Sequence, residues 1–360
     1  MRPEPDTFSV ALVIPRSGPA GMLGLSCELS ARLAAEELNA VDGVGGRQIR
    51  LLPVDGGVAP QHVAMEADRL VSAGAVDAVV GWHISSVRRA VVPRVRGRVP
   101  YVYTTVYEGG ERSPGVLVTG ETPARHLLPA MRVLGEACGV RRWCVVGNDY
   151  VWPRVTARAA REYARACGAR IVSATFVPLG TRDFARVLRR VERCLADAVL
   201  MLLVGEDAVL FNRAFAALGL HQRCLRLSTL MDENMLLASG PEGTVGLWAT
   251  AGYFETLATP ESLGFGARYV RRFGAHGPPV GGLGESCYEG VRLLAALSSA
   301  GRSRPPRHRW LPGRPSEAGV LDLPDFDGAR GILRVRGNHV EQPVYLAEAD
   351  GLDFHVHTRL

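Results

Sequence analysis

Two successive strands of this chain end in side chains suited to holding a small polar molecule. The apolar run that stops at Gly81 continues through Trp82-His83-Ile84-Ser85-Ser86 into a helix, and Pro100-Tyr101-Val102-Tyr103-Thr104-Thr105 ends the next run. A hydroxyl both donates and accepts, and the first turn of a helix leaves N–H groups without intrahelical partners. Ser85 can therefore serve an amide or carboxylate oxygen, or act only as a helix cap. Thr105 can serve a ligand in the same way or be an ordinary β-branched strand end. In open parallel sheets, ligands sit beyond the carboxyl ends of the strands, where both residues fall. Acids mark two later strand ends, Gly205-Glu206-Asp207 and Met231-Asp232-Glu233. There they complement the dipole of the helix they open.

Several other chemistries are missing from the chain. There is no G-x-S-x-G elbow and no H-E-x-x-H pair. Gly18, Gly21 and Gly24 form a glycine-rich strand-to-helix turn, but the spacing is not G-x-G-x-x-G and no G-K-[ST] follows, which argues against a nucleotide site. His355 and His357 share a strand face and join His339 without any cysteine or acid at metal-ligand spacing. Glu285-Ser286-Cys287 resembles a nucleophile site only in composition. No enzyme, no cofactor and no metal is expected.

The net charge is +6, and all 42 basic residues are arginine. They are scattered among Asp and Glu rather than clustered with aromatics, so direct nucleic-acid binding is not expected. The 7 cysteines form no C-x-x-C pair and lie mostly in apolar contexts, which fits a reducing compartment. No apolar h-region precedes the strand Phe8–Ile14, and no run is long enough to span a membrane. These features read as a cytoplasmic protein, or as a periplasmic or extracellular one whose leader has been removed.

Apolar strands and helices at 3.6-residue spacing alternate for most of the 360 residues. Such βαβα order implies α/β architecture with parallel sheets covered by helices. One run extends from Phe8 to Tyr103 and a second of similar size from Pro123 to Thr229. After strand Gly246–Tyr253 the pattern loosens. It runs through helices Pro260–Phe273 and Glu285–Ala300 to an Arg- and Pro-rich loop, Gly301–Gly319, then to terminal strands Gly331–Val335, Val344–Ala349 and Phe354–His357.

From about Ser9 to about His357 the chain resembles the type I periplasmic-binding-protein superfamily. Within it, the chain looks most like the cytoplasmic amide sensor that negatively regulates aliphatic amidase expression, in the branch with amide, urea and branched-chain amino-acid binders. The residues that carry this are Leu38-Asn39 with Gly43-Val44-Gly45-Gly46-Arg47, Gly81 to Pro93, Tyr107-Glu108-Gly109 with Ser113-Pro114, and Gly147-Asn148-Asp149-Tyr150-Val151-Trp152-Pro153-Arg154. Tyr253-Phe254, Thr259-Pro260-Glu261-Ser262, Glu285-Ser286-Cys287-Tyr288 and Asn338-His339 add to it.

The resemblance implies two lobes, each a parallel sheet flanked by helices, joined by three hinge crossovers near Gly120, Gly252 and Phe326 and closing over a ligand. Lobe one would hold residues 7–120 and 253–325, and lobe two 121–252 and 326–360. Ser85 and Thr105 match the family's contacting hydroxyls, with Tyr103 the aromatic before the second. Thr104 and Val106 stand where the sensor has prolines, so Thr104 adds a hydroxyl. Tyr150 matches the lobe-two tyrosine that meets the ligand, and Trp152 replaces a second tyrosine. His83 stands at another tyrosine position, either as a capping or surface histidine or as a group whose charge near pH 6.5 makes affinity pH-dependent. Ser17 lies in a loop edging the cleft. Amino-acid binders in the superfamily place an acid in lobe two against the ligand ammonium, a role open to Glu206 or Asp232.

The implied function is a non-enzymatic cytosolic sensor of an amide, urea or amino acid. By lobe closure it would control an RNA-binding antitermination protein or another regulator. The alternative is the substrate-binding component of an ABC-type amide, urea or branched-chain amino-acid importer, with a permease as partner. A homo-oligomer is compatible with either. An amide-consuming enzyme is disfavoured by the missing triad and metal set.

Overall fold

The computed structural model describes residues 6–274, 277–301 and 325–360. The Arg- and Pro-rich stretch expected as a loop lies almost wholly outside the described residues. Contacts group the chain into two compact units. The first holds the chain up to Thr105, Gly110–Gly120 and Ala258–Gln342; the second holds Val106–Gly109, Glu121–Leu257 and Pro343–Leu360.

In the first unit the chain runs β1 (Thr7–Ile14), α1 (Gly24–Asn39), β2 (Gln48–Asp55), α2 (Pro60–Ser72), β3 (Ala78–Gly81), α3 (Ser85–Val95), β4 (Tyr101–Tyr103) and β5 (Val116–Val118). The second unit continues with α4 (Pro123–Ala137), β6 (Arg142–Asn148), α5 (Val151–Ala166), β7 (Arg170–Val177), α6 (Ala185–Arg193), β8 (Ala198–Leu202) and α7 (Glu206–Ala217). After these come β9 (Leu225–Ser228), α8 (Glu233–Ser239), α9 (Pro241–Thr244) and β10 (Leu247–Ala251). The chain returns to the first unit with α10 (Pro260–Phe273), α11 (Gly282–Gly301), β11 (Phe326–Gly328), β12 (Gly331–Arg336) and β13 (His339–Glu341). It ends in the second unit with β14 (Tyr345–Asp350) and β15 (Asp353–Arg359).

The first sheet has the order β11-β12-β13-β5-β4-β3-β1-β2 and the second β15-β14-β10-β9-β8-β6-β7. The strands β1 to β5 pair in parallel, and so do β6 to β10. Their central members are apolar on both faces: Val10 to Ile14 and Ala198 to Leu202 are wholly buried, as strands covered by helices on both sides must be. Proline opens α2, α4 and α10, where a missing N–H costs nothing. Among the described residues no helix is long and apolar enough to cross a membrane.

Both sheets are mixed, which corrects the expectation of parallel ones. β11, β12 and β13 pair antiparallel with one another and join the first sheet through a parallel pairing of β13 with β5, while β14 and β15 join the second sheet as antiparallel neighbours. Tight turns such as the one at Asp350-Gly351 can only reverse a chain into antiparallel pairing. The expected lobe change at Phe326 also moves. Because His339 of β13 pairs with Val118 of β5, the chain stays in the first unit until Gln342.

Each sheet contains the same local order, with a later strand (β2 or β7) outside the first (β1 or β6) and the next three on its other side. The switch points therefore lie between β1 and β3 and between β6 and β8, and a ligand belongs at the carboxyl ends there. Gly81 permits the first one. Its φ is +147°, and a Cβ at this position would lie 2.0 Å from the Val13 carbonyl oxygen of β1.

Candidate functional site

In the first unit, Gly81 of β3 lies in register with Tyr103 of β4, and Tyr103 in turn with Val118 of β5. The residues that follow, Ser85, Thr105 and Thr119, thus leave the sheet at one end from three adjacent strands. All three are buried, and their hydroxyls have no hydrogen-bond partner among the described residues. A buried hydroxyl left unmatched costs about 1–3 kcal/mol. Ser85 is also the first residue of α3, whose positive dipole end favours an anionic or carbonyl oxygen.

A set of buried aromatics fixes this edge. The His83 Nδ1 lies 3.3 Å from the Ile84 carbonyl, which can only accept, so Nδ1 carries the proton. The Nε2 then accepts from the Tyr101 hydroxyl at 2.7 Å. The Tyr103 hydroxyl donates to the His83 carbonyl at 2.7 Å. Burial pushes the His83 pKa down to about 3 and raises that of Tyr101. Arg88 of α3 lies over the Tyr103 ring and forms a buried ion pair with Glu111. Glu111 in turn accepts from the backbone N–H groups of Arg112 and Ser113.

In the second unit, Asn148 ends β6 with its side chain committed: Nδ2 donates to Asp207 at 2.5 Å and Oδ1 accepts from Val204 N at 3.0 Å. Asp207 also accepts from Gly180 N, so it ties the ends of β6, β7 and β8 together. At the end of β9, Thr229 and Asp232 are buried. Asp232 caps α8 through Oδ1, which accepts from Met235 N at 3.2 Å. Its Oδ2 and the Thr229 hydroxyl have no partner among the described residues. Burial pushes the Asp232 carboxyl up to about 6. The adjacent Glu233 accepts from Glu255 N, and burial, then the Asp232 charge, raises its pKa well above the usual range.

The sequence-derived candidates separate accordingly. Ser85 and Thr105 sit together at the first unit's strand ends, with Tyr103 in the layer beneath them. His83 is wholly buried in that layer; it is neither a surface residue nor a group that charges near neutral pH, because the ring has lost its water. Thr104 faces the other way. Alternate residues of an extended segment point to opposite faces, and Thr104 shares with Val80 and Val102 the face packed on Gly290 of α11. Its hydroxyl lies 3.7 Å from the Cys287 sulfur. Ser17 is exposed, and its hydroxyl donates to Asp55 at the end of β2.

Tyr150 is half-buried at the start of α5, with its ring centroid 6.2 Å from that of Trp152. Trp152 is buried with Pro153, Thr156 and Ala160 on the inner side of α5. Glu206 is exposed at the start of α7 and pairs with Arg182 at 3.4 Å. Thr119 and Thr229 join these candidates; Thr119 directly follows the apolar strand β5, a signal present in the sequence, whereas Thr229 follows β9, whose Arg226 and Ser228 hide the same pattern. Among the described residues no group of three or more His, Cys, Asp or Glu is placed to hold a metal ion.

Comparisons with known proteins match this architecture along almost the whole chain. An "Amino acid binding protein" of Pseudomonas aeruginosa is 24% identical over 332 residues, covering 89% of this chain and 86% of that protein. "Leu/Ile/Val-binding protein homolog 6" of Brucella suis is 28% identical over 366 residues, covering 97% and 89%. Among solved structures, a solute-binding protein of an ABC transporter from R. palustris, in complex with 4-hydroxybenzoate, superposes with a TM-score of 0.82 at 22% identity, covering 99% and 96%. A branched-chain amino acid transporter substrate-binding protein from Streptococcus pneumoniae, in complex with isoleucine, gives 0.80 at 17%, covering 98% of each chain. The profile described as "Periplasmic binding protein" matches residues 7–353, and the chain belongs to that family.

Proposed function

We propose that the protein is the solute-binding component of an ABC-type uptake system, taking a small solute with a carboxylate or amide end. The reading is carried by Ser85 and Thr105, buried hydroxyls without described partners on in-register neighbours beside a topological switch point. The Ser85 and Thr105 hydroxyls donate to the acyl oxygens, and the start of α3 adds its dipole. His83 is neutral and Arg88 is already paired with Glu111, so this end of the solute is held by hydrogen bonds rather than by a free cation. In the second unit, considered by itself, the Asp232 Oδ2 is a buried acceptor without a described partner, of the kind that suits an ammonium or amide N–H. The names of the relatives support amino acids as the first class to test and hydroxybenzoates as the second. Binding, without chemistry on the solute, is the activity, and delivery to a permease follows it.

Calorimetry of the full chain against isoleucine, leucine, 4-hydroxybenzoate, acetamide and urea tests this. A binder should emerge, and Ser85→Ala or Thr105→Val should weaken it about tenfold to a hundredfold, the worth of one hydrogen bond to a charged group. The same variants should melt no lower than the parent, since each removes an unmatched buried hydroxyl. Equal affinity in parent and variants would refute the assignment.

A second reading, the cytosolic amide sensor, is favoured by Tyr107-Glu108-Gly109 and by Asp149-Tyr150 with Pro153-Arg154. It predicts acetamide-class binding and co-purification with a regulator rather than with a permease.

A further inference from the structure

Cys27 and Cys287 are far apart in the chain, yet they meet at the packing of α1 on α11. The two side chains are hydrogen-bonded to each other and both are wholly buried. The helices approach closely at this level. A Cβ on Gly284, one turn before Cys287, would lie 3.2 Å from the Ser26 carbonyl oxygen and 3.1 Å from the Ser30 hydroxyl. Ser26 directly precedes Cys27, so a residue without a side chain lets the two helices approach closely beside the cysteine pair. On its other side the Cys287 sulfur meets the Thr104 hydroxyl at 3.7 Å and the backbone of Trp82. These two residues lead into Thr105 and Ser85.

We propose that Cys27 and Cys287 are a dithiol–disulfide pair that, once oxidised, staples α1 to α11 beneath the strand ends carrying Ser85 and Thr105. With a small-molecule disulfide such as oxidised glutathione as oxidant while the chain folds, before the packing of α1 on α11 buries both sulfurs, the Cys287 thiolate attacks one glutathione sulfur. The glutathione S–S bond breaks and one glutathione thiolate leaves. The Cys27 thiolate then attacks the Cys287 sulfur of the mixed disulfide and expels the second glutathione. The two cysteines lose two electrons and two protons, and both end on the two glutathione thiols.

Burial opposes a thiolate at Cys287, but hydrogen bonds from Cys27, Thr104 and the Trp82 backbone outweigh it and bring the thiol below its usual value. Cys144 and Cys194 also touch, but there burial pushes the Cys144 thiol up to about 12.

The test is to refold the full chain in a glutathione redox buffer, block free thiols and map peptides by mass spectrometry. The expected product is a peptide linking Cys27 to Cys287, with two fewer titratable thiols than the 7 cysteines of the chain. The thermal midpoint should rise by roughly 5–10 °C over the reduced protein. Cys27→Ser and Cys287→Ala should each abolish that rise. In the oxidised protein, backbone amides 82–85 and 103–105 should exchange with deuterium at least threefold more slowly. Free Cys27 and Cys287 after refolding, or a crosslink formed elsewhere in their place, would overturn the proposal, as would unchanged exchange at those amides. Because wild-type peptides give the primary readout, a variant that fails to fold leaves the test intact.

Discussion

The burial of His83 has a consequence that can be measured without knowing the solute. The imidazole is held neutral inside the β3, β4 and α3 layer, accepting from Tyr101, and burial pushes its pKa down to about 3. In the unfolded chain the same group titrates near 6.5. Between those values the unfolded state binds a proton that the folded state refuses, so stability falls as the pH falls through this window. Each pH unit below 6.5 costs about 1.4 kcal/mol, which makes the loss about 2 kcal/mol at pH 5 relative to pH 8. Above 6.5 both states are neutral and the group contributes no slope. The assay is urea unfolding of the parent and of His83→Gln at pH 8 and pH 5. Gln cannot titrate and its amide can still meet the Tyr101 hydroxyl. The parent should lose about 2 kcal/mol more than the variant on acidification. Solute affinity should not follow a histidine titration over the same range, since His83 stays neutral throughout. An identical loss in parent and variant would mean that His83 charges normally in the folded protein, and the buried-clamp account of this edge would fail.

Two further outcomes follow from single atoms. Gly81→Ala places a Cβ 2.0 Å from the Val13 carbonyl oxygen at a φ of +147°, so unfolding by urea should show a loss of about 3 kcal/mol or more, or no folded protein. Asp232→Asn keeps an N-cap for α8 but removes a carboxylate whose pKa burial has raised to about 6 from an ordinary 3.8. The folded state therefore binds the extra proton, and at pH 8 the charged form costs roughly 3 kcal/mol, so the variant should be more stable than the parent there by that order and lose the advantage as the pH falls to about 4. A variant less stable than the parent at pH 8 would show that the carboxylate earns its place by capping alone.

The strand ends were legible because two short apolar runs, each closed by hydroxyl and aromatic residues, define β3 and β4 and place Ser85 and Thr105 beyond them. The orientation of Thr104 was also available. Strand alternation from Tyr103 turns it to the opposite face, and only a one-by-one comparison with relatives made it look like a third contact. The burial of His83 was not legible. It depends on Tyr101 and Tyr103, which reach it only once β4 pairs with β3. The return of β12 and β13 to the first sheet was hidden for a similar reason: the register of His339 with Val118 joins residues that share no local pattern. The Cys27–Cys287 contact needs the packing of two helices from opposite ends of the chain, and no spacing rule for cysteines detects that.

The two units repeat one strand order and leave different groups unmatched at the carboxyl ends of their strands. In the first, the unmatched groups are neutral hydroxyls, while the nearby charges Arg88 and Glu111 cancel and His83 stays uncharged. In the second, an unmatched hydroxyl, Thr229, stands with an unmatched acid oxygen of Asp232, beside a second acid whose pKa burial also raises. An unmatched buried hydroxyl or carboxylate lowers the stability of the solute-free protein, and a core free to optimise stability would replace it with apolar side chains at little cost in volume. Ser85 and Thr105 lie on strand ends that the fold would build equally well with alanine and valine, and α8 would be capped equally well by asparagine. In the first unit, the proposed solute supplies acyl oxygens to these hydroxyls, which removes the cost of leaving them unmatched.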